Sequence, residues 1–207
     1  MRSEARSGQE VVRSDIDVKS WTQKEPTASE VRPARCPICG AASRPTGGPV
    51  VLHGHGRRHR QLRGPAAPYA APQIRCFFVR RYQCQRCGAT LTVGPREMLP
   101  RRLFSACAIA LALALFGLSQ LPLHAVRNRV SPWRTVGATA VFTWRTVPRW
   151  TAAVRDGRLF PVVRRTPSDW TPRQTAARAA TTLAAHSPLS PREDFISSAF
   201  DGAALAR

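Results

Sequence analysis

Two short stretches, Cys36-Pro37-Ile38-Cys39-Gly40 and Cys84-Gln85-Arg86-Cys87-Gly88, decide how the rest of the chain is read. Each C-x-x-C closes a tight knuckle whose two thiolates face one ion, and the glycine after the second cysteine lets the backbone turn with positive φ. Together Cys36, Cys39, Cys84 and Cys87 make a closed tetrahedral site for one structural Zn2+. No coordination position is left for substrate or water, so the metal reads as a folding staple.

The 44 residues between the knuckles carry the pieces of a small β zinc ribbon. Pro49 to His53 reads as a strand, Gly54 to Arg63 as a basic turn and returning strand, and Ile74 to Tyr82 as a longer strand entering the second knuckle. Ala89 to Val93 leaves that knuckle as a last strand, and the Pro- and Ala-rich run from Gly64 to Pro72 absorbs the excess length as a loop. His53, His55 and His59 lie in the basic segment, but with four thiolates at hand the arginines beside them are the expected phosphate contacts.

Charge is distributed unevenly around this segment. Residues 1–30 carry five basic and six acidic side chains, residues 31–102 carry fourteen arginines against Glu97 alone, and residues 103–207 carry thirteen arginines against five acids. Lysine is confined to Lys19 and Lys24, so base composition of the genome explains the choice of arginine; it does not explain the shortage of Asp and Glu. A basic field over and behind the knuckles suits a polyanionic partner. The other two of the six cysteines, Cys76 in a strand and Cys107 in an apolar helix, read as small buried hydrophobes. The set therefore does not form a secreted disulfide framework and fits a reducing cytoplasm. Residues 1–30 have no apolar signal-peptide core and read as a disordered leader.

Leu103 to Leu118 is apolar and follows Arg101-Arg102, which raises a membrane anchor as a reading. Sixteen helical residues cover about 24 Å, short of the roughly 30 Å hydrocarbon core. Its larger side chains recur at three- and four-residue steps, which predicts a stripe packed within a helical bundle. A second helix is expected near Leu121 to Val130. A third has Thr146 as N-cap and ends at Gly157, with Val147, Trp150 and Val154 inward and Arg149, Thr151 and Arg155 outward. Thr171-Pro172-Arg173-Gln174 reads as a capping box for a helix to about His186, and Ser190-Pro191-Arg192-Glu193 as another for a last helix through Phe200 and Leu205.

The run Arg81-Tyr82-Gln83-Cys84-Gln85-Arg86-Cys87-Gly88-Ala89-Thr90-Leu91-Thr92-Val93, then Leu99-Pro100-Arg101-Arg102 and an alanine-leucine helix, resembles the zinc ribbon of bacterial insertion-sequence transposases and related stand-alone proteins. Trp144-Arg145-Thr146-Val147-Pro148-Arg149-Trp150 is similar to the tryptophan-bearing third helix that follows it there. The resemblance spans about residues 35–157. It implies an α+β chain, a β ribbon followed by a mostly α-helical, helix-turn-helix-like bundle, that binds double-stranded DNA. It also suggests association with a catalytic transposase or with a second copy. The expected layout is a leader at 1–30, the ribbon at 31–98, the helical unit at 99–157 and a helical extension at 158–207.

The chain departs from that family after residue 102, where Asp156, Asp169, Glu193, Asp194 and Asp201 are the only acids. They sit at expected helix ends or in loops, so no carboxylate triad for two-metal catalysis is formed. No nucleophile elbow or phosphate loop is present either. The expectation is a binding protein rather than an enzyme, with Arg57, Arg58, Arg60, Arg80, Arg81, Arg86, Arg145, Arg149 and Arg155 as the DNA contacts. An RNA- or protein-binding ribbon adaptor and a membrane-anchored zinc protein are the rival readings.

Overall fold

In a computed structural model of the 207-residue chain, residues 8–133, 144–188 and 194–206 are described. Among them the fold is mixed α+β, with one four-stranded sheet and six helices. The strands are β1 (Gln9–Arg13), β2 (Leu52–Pro65), β3 (Pro72–Cys84) and β4 (Thr90–Gly94). The helices are α1 (Val18–Gln23), α2 (Ala106–Gly117), α3 (Leu123–Val130), α4 (Thr146–Arg155), α5 (Pro172–Ala184) and α6 (Phe195–Leu205). The chain divides into two compact units, Met1–Gln61 with Cys76–Arg102, and Leu62–Arg75 with Leu103–Arg207.

The sheet runs in the order β1-β4-β3-β2. Strand β3 pairs antiparallel with β4, Arg80 opposite Val93 and Gln83 opposite Thr90. Strand β1 pairs parallel with β4, Gln9 opposite Thr90 and Arg13 opposite Gly94. The expectation of a disordered leader over 1–30 is thereby corrected for its described part. After β1, Asp17 caps α1 by accepting from the Ser20 N–H at 2.9 Å, and the Val18 N–H donates to the Glu97 carboxylate at 2.9 Å. Trp21 is fully buried and its Nε1–H donates to the Phe78 carbonyl at 2.8 Å. The Arg80 guanidinium donates to the Pro26 carbonyl at 2.8 Å and the Tyr82 hydroxyl to the Ala28 carbonyl at 2.6 Å. A few large apolar groups in a polar stretch dock it because the sheet supplies both an edge for pairing and an apolar surface.

Strand β2 also differs from expectation. It is one strand of fourteen residues where the sequence predicts a short strand, a turn and a return. Gly56 takes φ +83° with open space where a Cβ would stand, so the irregularity is absorbed within the strand instead of reversing it. Cys76, expected to be buried, lies exposed on β3.

In the second unit α2 begins at Ser105, whose hydroxyl accepts from the Ala108 N–H at 3.0 Å, and all twelve of its residues are buried. An apolar stripe is the expectation; complete enclosure results because α3, α4, α5 and α6 all pack on it. No described helix is long and apolar enough to cross a membrane. Small residues allow the close approach: a Cβ on Gly117 would lie 2.3 Å from the Ala177 nitrogen, and one on Gly202 would lie 1.9 Å from the Leu183 carbonyl oxygen. The Arg173 guanidinium closes the end of α2, donating to the Phe116 carbonyl at 2.6 Å and the Leu121 carbonyl at 3.2 Å while lying over the Phe116 ring. The Phe116 carbonyl is one that the helix terminus otherwise leaves open.

The expected extension at 158–207 is therefore corrected: α5 and α6 belong to the same unit as α2 and α4. The capping box at Thr171 and Gln174 is present. Helix α6 is capped by Asp194, whose carboxylate accepts from the Ile196 N–H at 2.9 Å, while the box expected at Ser190 to Glu193 lies outside the described residues. Helix α4 has Arg145, not Thr146, at its N-cap, and Thr151 is buried with its hydroxyl on the Pro148 carbonyl. Val147, Trp150 and Val154 are buried as expected, with Phe104, Trp144 and Trp150 meeting edge to face. The connection from α3 to α4 runs through residues 134–143, which lie outside the described residues.

Candidate metal centre

The two knuckles repeat one backbone pattern. In the first, the Gly40 N–H donates to the Cys36 carbonyl at 2.8 Å and the Cys36 N–H to the Ala41 carbonyl at 2.9 Å; in the second, Gly88 and Cys84 make the same bonds to Cys84 and Ala89 at 2.8 and 2.9 Å. Gly40 and Gly88 hold φ of 71° and 73°, a conformation that a side chain disfavours, so the C-x-x-C-G spelling and the turn require each other. Strands β3 and β4 present the second knuckle between them. The first is tied to it through Val51, whose N–H donates to the Ser43 carbonyl at 2.8 Å and whose carbonyl accepts from the Gln85 N–H at 2.9 Å.

This brings the four sulfurs together, all within 4.8 Å of one another. Across the knuckles, the Sγ atoms of Cys36 and Cys87 are 3.8 Å apart and those of Cys39 and Cys84 are 3.7 Å apart. These are far beyond a disulfide bond of about 2.05 Å. They match the edge of about 3.8 Å that a tetrahedron of thiolates has at a Zn–S length of about 2.3 Å. The donor set and its spacing fit one divalent metal ion, and four protein ligands leave no open position on it.

The sulfurs differ in environment. Cys36 and Cys84 are buried, Cys87 is half-buried and Cys39 is exposed. Without metal, the Ala41 N–H directed at its sulfur lowers the Cys39 thiol to about 7. Burial pushes Cys87 up to about 12 and raises Cys36 as well. A bound cation would hold all four as thiolates, releasing protons as it binds. No histidine joins the cluster; the His53 ring instead meets the Val50 carbonyl at 2.7 Å.

The arginines expected at a DNA surface fall into two groups. Arg57 and Arg80 are engaged within the first unit by Glu25, at 3.2 and 2.9 Å, and Arg57 lies over the Phe78 ring. Arg80 has internal partners in the structure, its Pro26 and Glu25 bonds holding the N-terminal segment to the sheet. Arg58 and Arg86 are exposed, and Arg60 and Arg81 half-buried. On α4, Arg145 and Arg149 are exposed and Arg155 half-buried. Sequence reasoning missed Glu25 as an internal counter-ion, although its place in a segment containing Trp21 and an Asp17-x-x-Ser20 cap was the available signal. Comparison of the chain with protein-family models, with curated proteins and with solved structures returned no match.

Proposed function

We propose that this is a zinc-stapled DNA-binding protein, resembling the DNA-binding part of an insertion-sequence transposase. The observation that carries the reading is the four-cysteine cluster at tetrahedral spacing inside a unit rich in arginine. Zinc closes the two knuckles and so holds β3 and β4 in place, contributing on the order of 10 kcal/mol to folding. The arginines of the ribbon and of α4 then meet phosphate oxygens, which supply affinity and orientation rather than sequence readout. A binding role suits the acids of the second unit too: Asp156 closes α4 and Asp194 opens α6.

The test joins metal analysis to a duplex-DNA titration. Purified protein is expected to carry about one zinc per chain and to bind duplex DNA with an affinity that falls linearly with salt on logarithmic axes. Zinc-free folded protein, or zinc-loaded protein with no affinity for duplex DNA, overturns the reading. Preference for structured RNA in a direct competition transfers the same surface to the rival adaptor reading.

A further inference from the structure

The two faces of the β2–β3 pair differ in electrostatics. Arg57 and His59 of β2 share one face with Phe78 and Arg80 of β3: the Arg57 guanidinium and the His59 ring both contact Phe78, and Glu25 bridges Arg57 and Arg80. Strand alternation turns Arg58 and Arg60 to the other face, together with Arg81. There Arg60 is drawn below its ordinary value, first by burial and then by the neighbouring charges of Arg58 and Arg81. The ion pairs of Arg57 and Arg80 with Glu25 lie on the opposite face. One face is thus partly neutralised from within, one carboxylate shared by two guanidinium groups, and three guanidinium groups stand on the other without a carboxylate.

We propose that duplex DNA is held on the face formed by Arg58, Arg60 and Arg81, with the Glu25-bearing face turned away from it. The proposal rests on the DNA-binding reading above and assigns that activity to one side of one element. A phosphate backbone supplies the anions that this cluster lacks, and relieves its mutual repulsion as it binds.

Duplex titrations over a range of salt concentrations decide it, using full-length zinc-loaded protein with metal content and circular dichroism recorded for every variant. Arg58→Gln, Arg60→Gln and Arg81→Gln combined is expected to lower the slope of log affinity against log salt by about 0.9 per lost phosphate contact, nearly 3 in all. The matching triple lysine variant, which keeps the charge, is expected to retain the slope. Glu25→Gln, on the opposite face and at no expected DNA contact, is expected to leave slope and affinity as they are. If the triple glutamine variant fails to fold, Arg58→Gln alone, at an exposed position, is expected to lower the slope by about 0.9. A wild-type slope in the folded glutamine variants, or tighter binding on Glu25→Gln alone, overturns the assignment while leaving DNA binding intact. Zinc-loaded wild-type protein that binds no duplex overturns the underlying reading as well.

Discussion

Cys84 stands at the point where β3, the second knuckle and β4 meet, and its side chain is fully buried. A serine there leaves three thiolates and a hydroxyl that binds zinc poorly, so Cys84→Ser is expected to reduce zinc from about one per chain to near zero, with loss of cooperative unfolding. Metal analysis alongside thermal melting checks this. Glu97 offers a pH test. Burial raises its carboxyl above the usual range, so its contribution to stability is fully present below the unfolded-chain value and is lost as pH rises through the folded one. Glu97→Gln keeps an oxygen to accept from Val18 N–H and removes that loss. Its urea midpoint is expected to exceed that of the wild type near pH 7, with the difference narrowing toward about pH 3, where an ordinary carboxyl is protonated in both states. An equal or lower midpoint near pH 7 would show that the charged carboxylate at the start of α1 outweighs its desolvation.

At the scale of elements, the N-terminal segment and the α5–α6 contact are the informative cases. If β1 and α1 are part of the first unit, Trp21→Ala removes a buried indole and its hydrogen bond, and is expected to cost about 3–5 kcal/mol. Removal of a side chain from a solvated leader would cost nothing measurable, so chemical denaturation separates the two. Gly202→Ala tests the helical unit. Its Cβ would overlap the Leu183 carbonyl oxygen of α5, and backbone cannot yield as a flexible side chain does. A destabilisation of about 1–3 kcal/mol or more is expected from such overpacking, whereas a gain in stability would mean that the two helices are not in this contact. The caps were legible in sequence at Thr171, where side chain and backbone are neighbours. At α4 they were not, because the helix start there has no side-chain cap to announce it.

For the whole molecule, net charge of +20 makes non-specific electrostatics the first-order property. If about six phosphates are contacted, affinity for duplex DNA is expected to drop about a thousand-fold between roughly 50 and 200 mM salt, read by anisotropy with the zinc-loaded protein. Chelation is expected to abolish this binding together with the fold of the first unit, and a metal-free sample that still binds equally well would separate the charge from the zinc.

Much of this molecule follows from short-range spelling. C-x-x-C-G twice, an excess of arginine, and capping motifs beside alanine-rich segments are local facts, and each dictates a knuckle, a charge field or a helix without reference to anything distant. What only the tertiary structure decided is which of those pieces touch. Strand β1 is held parallel to β4 by pairing across some eighty residues of chain, Glu25 finds Arg57 and Arg80, and α2 is enclosed on all sides by helices that follow it. Such contacts depend on surfaces that exist only once the sheet and the bundle have formed, and no local pattern in the chain encodes their partners.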